Sequence, residues 1–275
     1  MVFTAANFAN ELGFGMNNSG DQLAFDKASI ASQVAGGFCS LWRGTGLPAQ
    51  GAIPAAAAIC NKALTGAFGF TNAGGGFENR LAWAYYNSVT TAGHAFELHD
   101  RLAHMGGLSG IVITAQAVTV DLLTLAVPAA RLGDTSYKDV RWWIEWYIAT
   151  GATGVNFTVN VTYSDNSTGN IVIAVPANTG ASRAIPILPA VAGLGIKSIN
   201  NVTLSATTGT AGSFGFTATR QLSAMENDVA GKGKDHSWAM LGAPVIPDDA
   251  CLMGTVPCIA TASGNVRGTM KLAKA

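Results

Sequence analysis

From about residue 111 onward, apolar and polar side chains alternate with a period of two. The clearest run sets Val155, Phe157, Val159, Val161 and Tyr163 against Asn156, Thr158, Asn160 and Thr162. Unbroken alternation of that length predicts a half-buried antiparallel strand with an Asn/Thr outer face. Just upstream, Trp142, Ile144, Trp146 and Ile148 fall on one face of a strand, and Trp143, Glu145 and Tyr147 on the other. Gly151-Ala-Thr-Gly154 and Ser164-Asp-Asn-Ser-Thr-Gly169 read as turns, the second followed by a return strand over 170–175. Residues 197–206 predict another strand, bulged where Asn200 and Asn201 interrupt the alternation, and Phe214, Phe216 and Ala218 point inward from a further one. Short strands at regular spacing predict a β-sandwich over 111–225.

The flanks carry other patterns. Residues 1–110 read as a mixed α/β region. Asp21 is placed to cap a helix running to Val34, with Leu23, Ile30 and Val34 on one stripe and Gly36-Gly37 ending it. Pro54 opens a second short helix over 55–64. Leu81, Trp83 and Tyr85 alternate in a strand, and a further helical stretch is expected from about His94 to His104, where Glu97 and Arg101 can pair across one turn. Residues 226–275 hold Pro244, Pro247 and Pro257 with little periodicity and read as an extended C-terminal arm that orders against a neighbour. The expected fold is mainly β: an antiparallel β-sandwich with an N-terminal mixed α/β region and an extended C-terminal arm. Its candidate interface is Trp143 and Tyr147 of the aromatic strand, with Trp238, Met240, Leu241, Val245, Ile246, Leu252 and Met253 of the arm.

Composition then narrows the function. Of the 275 residues, 49% are apolar and only 12% charged, about half the charge of an average soluble protein. A surface so poor in charge suits a subunit shielded by others, so the expected partner is the chain itself as a homo-oligomer. The longest apolar stretch, 111–130, is broken by Gln116, Asp121 and Pro128, which argues against a membrane-spanning helix. Sixteen basic residues balance sixteen acidic ones without a basic stripe, so no direct nucleic-acid partner is expected. The start, Met1-Val-Phe-Thr, lacks the basic and apolar regions of a signal peptide, which points to synthesis in a cytoplasm. Cys39, Cys60, Cys251 and Cys258 form no CxxC and read as free buried thiols, a Cys251–Cys258 bridge being left open.

Chemistry is sparse. His94, His99 and His104 step by five residues, which on a helix rotates each by about 140° from the last, so no metal site is expected. Gly107-Leu-Ser-Gly110 lacks the second glycine of a nucleophile elbow, and Gly193-Leu-Gly-Ile-Lys-Ser198 misses phosphate-loop spacing. Neither a catalytic residue nor a cofactor is expected, and the chain reads as a non-enzyme. Glu145 among Trp142, Trp143, Trp146 and Tyr147 admits a carbohydrate-binding reading, against a structural ion pair with Arg141.

Three segments carry a resemblance: Asp100-Arg-Leu-Ala-His-Met-Gly-Gly-Leu-Ser109, Trp143-Ile-Glu-Trp-Tyr-Ile-Ala-Thr-Gly-Ala-Thr153 and Val202-Thr-Leu-Ser-Ala-Thr-Thr-Gly-Thr-Ala-Gly-Ser-Phe-Gly215. Over about residues 95–255 the chain resembles virion structural proteins of tailed bacteriophages. The resemblance implies a particle component made in the host cytoplasm and present in many copies. Together with the low charge and the apolar tail it points to a capsid decoration or cement subunit that binds other virion proteins, the major capsid protein among them. A neck, tail or fibre-associated protein is the alternative within the particle.

Overall fold

A computed structural model describes residues 21–28, 35–90, 95–259 and 264–275. In chain order the first strands are β1 (Gln22–Ala28), β2 (Phe38–Ser40), β3 (Gly46–Leu47), β4 (Ala58–Ile59), β5 (Asn79–Ser88) and β6 (Ala95–Leu108). Next come β7 (Gln116–Asp121), β8 (Val140–Ile148), β9 (Val155–Tyr163), β10 (Thr168–Val175), β11 (Arg183–Ile187) and β12 (Ile196–Leu204). The last are β13 (Ser213–Glu226), β14 (Lys234–Ser237), β15 (Val245–Ile246), β16 (Leu252–Pro257) and β17 (Asn265–Lys274). Helix, among the described residues, is limited to two four-residue turns, α1 (Ala129–Leu132) and α2 (Trp238–Leu241).

Strands β13, β8, β11, β2, β16 and β6 pair in that order, and β6 pairs back with β13. The circuit is antiparallel throughout, so the six strands close into a small barrel without free edges. Side chains alternate across the barrel wall. Outside β8 and β13 stand Trp142, Ile144, Trp146, Phe214, Phe216 and Ala218, packed on Phe157, Val159 and Val161 of a four-stranded sheet ordered β10-β9-β12-β7. Outside β6 and β16 stand Phe96, Leu98, Leu252 and Val256, packed on Phe25, Leu81, Tyr86, Met270 and Leu272 of a sheet ordered β14-β5-β17-β1-β3. The barrel is therefore the middle layer. Both apolar outer walls are covered, and the polar members of each alternating pair turn into its interior.

Several expectations are corrected. In place of a two-sheet sandwich confined to 111–225, one sheet packs on a barrel wall to which distant segments contribute. The N-terminal helices expected at 21–34 and 55–64 are not formed: 22–28 is strand β1, and 55–64 is turns around β4, while 29–34 lie outside the described residues. In β1 the buried positions are Leu23, Phe25 and Lys27, a period of two. Lys27 hides that period in the sequence because it faces inward, its Nζ donating to the carbonyls of Gly44 (3.0 Å) and Ala49 (3.2 Å). The stretch expected as helix to His104 is the 14-residue strand β6. The 226–275 segment is not an arm over its described length. β16 is a barrel wall, and β17 lies between β5 and β1 in the interior of a sheet.

Candidate functional site

The barrel interior gathers one buried ion pair, Arg101 with Glu145, among polar side chains. From β8, Trp143, Glu145 and Tyr147 point in; from β6, His99 and Arg101; from β13, Thr217 and Thr219; from β2, Ser40; and from β16, Met253 and Thr255. Arg101 and Glu145 pair at 2.7 Å, both shut off from solvent. The carboxylate also accepts hydrogen bonds from Ser40 Oγ (2.5 Å), Thr217 Oγ1 (2.6 Å) and the Tyr147 hydroxyl (3.2 Å). Burial alone would push Glu145 toward protonation, but the Arg101 guanidinium and these donors outweigh it and hold the carboxyl below its ordinary range. Arg101 lies 4.5 Å over the Trp42 ring and donates from Nε to His104 Nδ1 (3.0 Å) and from Nη2 to Tyr147 (3.2 Å). Burial and the Glu145 charge push the Tyr147 hydroxyl well above its usual range, so it serves as a neutral donor.

A second cluster fills the other end. His99 sits between Glu97 (Nε2 to Oε2, 3.0 Å) and Thr219 (Nδ1 to Oγ1, 3.1 Å), and Trp143 Nε1 donates to Thr219 Oγ1 at 2.8 Å. Burial holds His99 below its ordinary pKa despite Glu97, so the ring is neutral with its proton on Nε2, facing the carboxylate. Glu97 also meets Arg141 at 3.3 Å. The expected pairs Glu97–Arg101 and Arg141–Glu145 are thus exchanged for Glu97–Arg141 and Arg101–Glu145. In a strand, residues four apart are separated by more than 13 Å, so the helical partner of Glu97 is out of reach.

On the outer side of β6, Arg131 from α1 forms a bidentate pair with Asp100 (2.6 and 2.8 Å), also buried. This pair closes a gap in the wall. β4 and β16 lie end to end along the same edge of β6, with Ile59 opposite Ala103 and Leu252 opposite Asp100. Cys60 N–H then donates to Leu102 O (2.9 Å), and Cys251 O accepts from Arg101 N–H (2.8 Å), so the two cysteines occupy adjoining positions where the strand is broken. Arg131 donates to Cys60 O (2.7 Å), and Asp100 accepts from Cys251 N–H (2.8 Å). Those are the carbonyl and amide that a peptide bond would join in an unbroken strand.

Of the nine candidate interface residues, Trp143, Tyr147, Leu241, Ile246, Leu252 and Met253 are buried within the chain, Val245 is half-buried, and only Trp238 (43%) and Met240 (59%) are well exposed. Trp143 therefore offers no glycan platform. Cys251 and Cys258 bracket the extended strand β16, about 23 Å apart at 3.3 Å per residue, which excludes a bridge between them. A cavity of about 10 Å³ lies against Ser40, Arg101, Trp143, Glu145 and Met253, room for no more than a single water. Among the described residues, no three of His, Cys, Asp and Glu are placed to hold a metal ion, and no helix is long and apolar enough to cross a membrane. Sequence reasoning missed Arg131 and Ser40, and it read Arg101 as one half of a helical pair and Cys60 as a free buried thiol without joining either to this site. The available signal was the shared parity of Glu97, His99 and Arg101, the same that sets Trp143, Glu145 and Tyr147 on one face.

No protein-family model matches the sequence, and no curated protein does. Comparison with solved structures returns the infectious bursal disease virus Gt strain, 11% identical over 98% of this chain and 87% of that one, with a TM-score of 0.18. The VP2 subviral particle of the same virus is 10% identical over 92% of this chain and 80% of that one, with a TM-score of 0.16. Superpositions this distant carry no argument about fold or function.

Proposed function

We propose that the chain is a structural subunit of a virus particle, and more narrowly a decoration or cement subunit on the capsid of a tailed bacteriophage. The observation that carries this reading is the outer side of the β10-β9-β12-β7 sheet, which is amide- and hydroxyl-rich over β9 and β10 and carries charge within its strands only at Asp121 and Lys197. Its polar side chains bond to one another: Asn160 Nδ2 to Asn170 Oδ1 (2.7 Å), Asn200 Nδ2 to Asn160 Oδ1 (2.8 Å) and to Thr162 Oγ1 (3.0 Å). A face of short, mutually satisfied amides and hydroxyls loses little hydration when covered, unlike a charged one. The edge of that sheet, β10, carries no charge, and none stands anywhere between Asp165 and Arg183. Val172 is 64% exposed there.

The edge fits a second copy of itself. In an antiparallel ladder every other residue turns its N–H and C=O away from the neighbouring strand. The Tyr163 N–H to Ser167 O bond sets the phase, so Thr168, Asn170, Val172 and Ala174 present theirs outward. Two β10 strands related by a two-fold axis run antiparallel and satisfy one another. Exposed Trp238 and Met240 add a separate apolar spot.

The test is electron microscopy of particles from the chain's source after incubation with the purified, gold-labelled protein. Label spread over the icosahedral shell is the expected result. Label confined to one vertex or the tail replaces decoration with the neck or tail reading, and absence of any label overturns the structural-subunit proposal.

A further inference from the structure

The broken wall of the barrel brings two thiols together. Cys60 follows β4, in which Ala58 is opposite His104, and Cys251 precedes Met253, which lines the interior. By alternation both cysteine side chains project to the inner side of the wall from adjoining positions. Both are completely buried, in one cluster with Trp42, Tyr147 and Met253. A hydrogen bond joins the two side chains, so their sulfurs already stand against one another. Cys39 and Cys258 stand apart from them, in the core under the opposite sheet.

We infer that Cys60 and Cys251 form a latent cross-link: a dithiol that hydrogen peroxide converts to a disulfide, closing the break in the barrel wall covalently. The surroundings favour the first step. Burial opposes ionisation of Cys60, but hydrogen bonds from Cys251 and His104 and the Arg101 charge outweigh it, holding the thiol below its ordinary range. His104 Nδ1 already accepts from Arg101 Nε, which leaves its Nε2–H for the sulfur. Burial and the neighbouring Cys60 push Cys251 up, so it remains a thiol that donates its proton toward the thiolate. A thiolate beside a resolving thiol is the reduced form of a reactive pair.

The chemistry balances with peroxide as the two-electron oxidant. The Cys60 thiolate attacks one peroxide oxygen, the O–O bond breaks, and hydroxide leaves, giving a sulfenic acid on Cys60. Cys251 sulfur then attacks Cys60 sulfur, the S–O bond breaks, and the departing hydroxide takes the Cys251 proton as water. Hydrogen peroxide is small enough to enter on brief opening of the wall, whereas a bulky disulfide oxidant is excluded. The bridge would close a loop over about two thirds of the chain. A subunit made with free thiols would thus harden when its surroundings turn oxidising.

The test treats the full folded chain with hydrogen peroxide, blocks remaining thiols after unfolding, and maps linked peptides by mass spectrometry. The expected result is one linked pair containing Cys60 and Cys251, with Cys39 and Cys258 still alkylated. The unfolding midpoint should rise by about 5–10 °C and fall back with dithiothreitol. In Cys251→Ser the same treatment should leave a dimedone-reactive sulfenic acid on Cys60. A bridge that uses Cys39 or Cys258 instead, or four thiols untouched by peroxide in the folded chain, overturns the inference.

Discussion

Glu145 is the residue on which the barrel interior depends. Its carboxylate is the shared acceptor for Arg101, Ser40, Thr217 and Tyr147, and all four are buried from bulk solvent. Replacing it with alanine leaves the guanidinium charged and uncompensated in a dry site. Glu145→Ala should therefore lower stability by about 3–5 kcal/mol, read from urea unfolding. Arg101→Met combined with Glu145→Leu removes both charges and should lose less than the single change, because a buried pair costs nearly as much in dehydration as it returns in attraction. A double variant as unstable as the sum of its parts would show that the two side chains stabilise the barrel independently, through their other partners and not through the pair. The other cluster adds a pH dependence with a definite sign. His99 has a folded pKa below its ordinary 6.5, so it leaves stability untouched above that pH and penalises folding as pH drops below it, where the unfolded chain takes up the proton first. Glu97, held below its ordinary 4.5 by His99 and Arg141 against the opposing effect of burial, contributes stability that is present above pH 4.5 and lost as pH falls through its folded value. Stability measured against pH should fall in two stages, and His99→Gln should flatten the stage that begins near 6.5.

At the scale of strands, close backbone approach and free edges set the tolerances. Gly215 on β13 faces Met105 on β6, and a Cβ there would stand 1.8 Å from the Met105 carbonyl oxygen. Gly215→Ala must push the two longest strands of the barrel apart and should cost about 2–3 kcal/mol, checked by chemical denaturation. At the open edge, Val172→Lys puts two like charges near the two-fold axis of a β10–β10 pair. It should shift the protein toward monomer in sedimentation velocity without lowering its unfolding midpoint; a dimer that persists would place self-association elsewhere. The strands themselves were unevenly legible. β9 could be read outright, because Val155 to Tyr163 bury one face against a core and expose the other. β8 could be read as a strand but not as a barrel stave, since nothing local says that the Glu145 face closes on itself. β6 was misread for a physical reason. The usual code puts apolar residues inward, whereas here Glu97, His99 and Arg101 face the interior and Phe96 and Leu98 face the covering sheet. Charges four apart then look like a helical pair on a wet surface. The Cys60–Cys251 contact has no local signal, because a long stretch of chain separates two residues that meet only where a strand breaks.

Whole-molecule closure ties the C-terminal strand into the core, and this distinguishes the structure most sharply from a domain with a trailing arm. β17 lies between β5 and β1, matching Leu272 with Leu81 on one side and Met270 with Leu23 on the other. Val266, Met270 and Leu272 are wholly buried against the outer wall of the barrel. Removing residues 264–275 would leave β5 and β1 without a common neighbour, strip the ladder bonds from both, and uncover Phe96, Leu98 and Tyr86. That is a loss of core, not of a docking strap, and the barrel wall formed by β6 and β16 would be left with an apolar face in water. The truncated chain should therefore lose its cooperative thermal transition and bind a hydrophobic dye, as followed by circular dichroism and dye fluorescence. A detachable arm would give the opposite pair of results: an unchanged melting transition together with lost binding to particles. Because the two accounts differ in folding as well as in binding, the truncation separates them even before a particle partner is in hand.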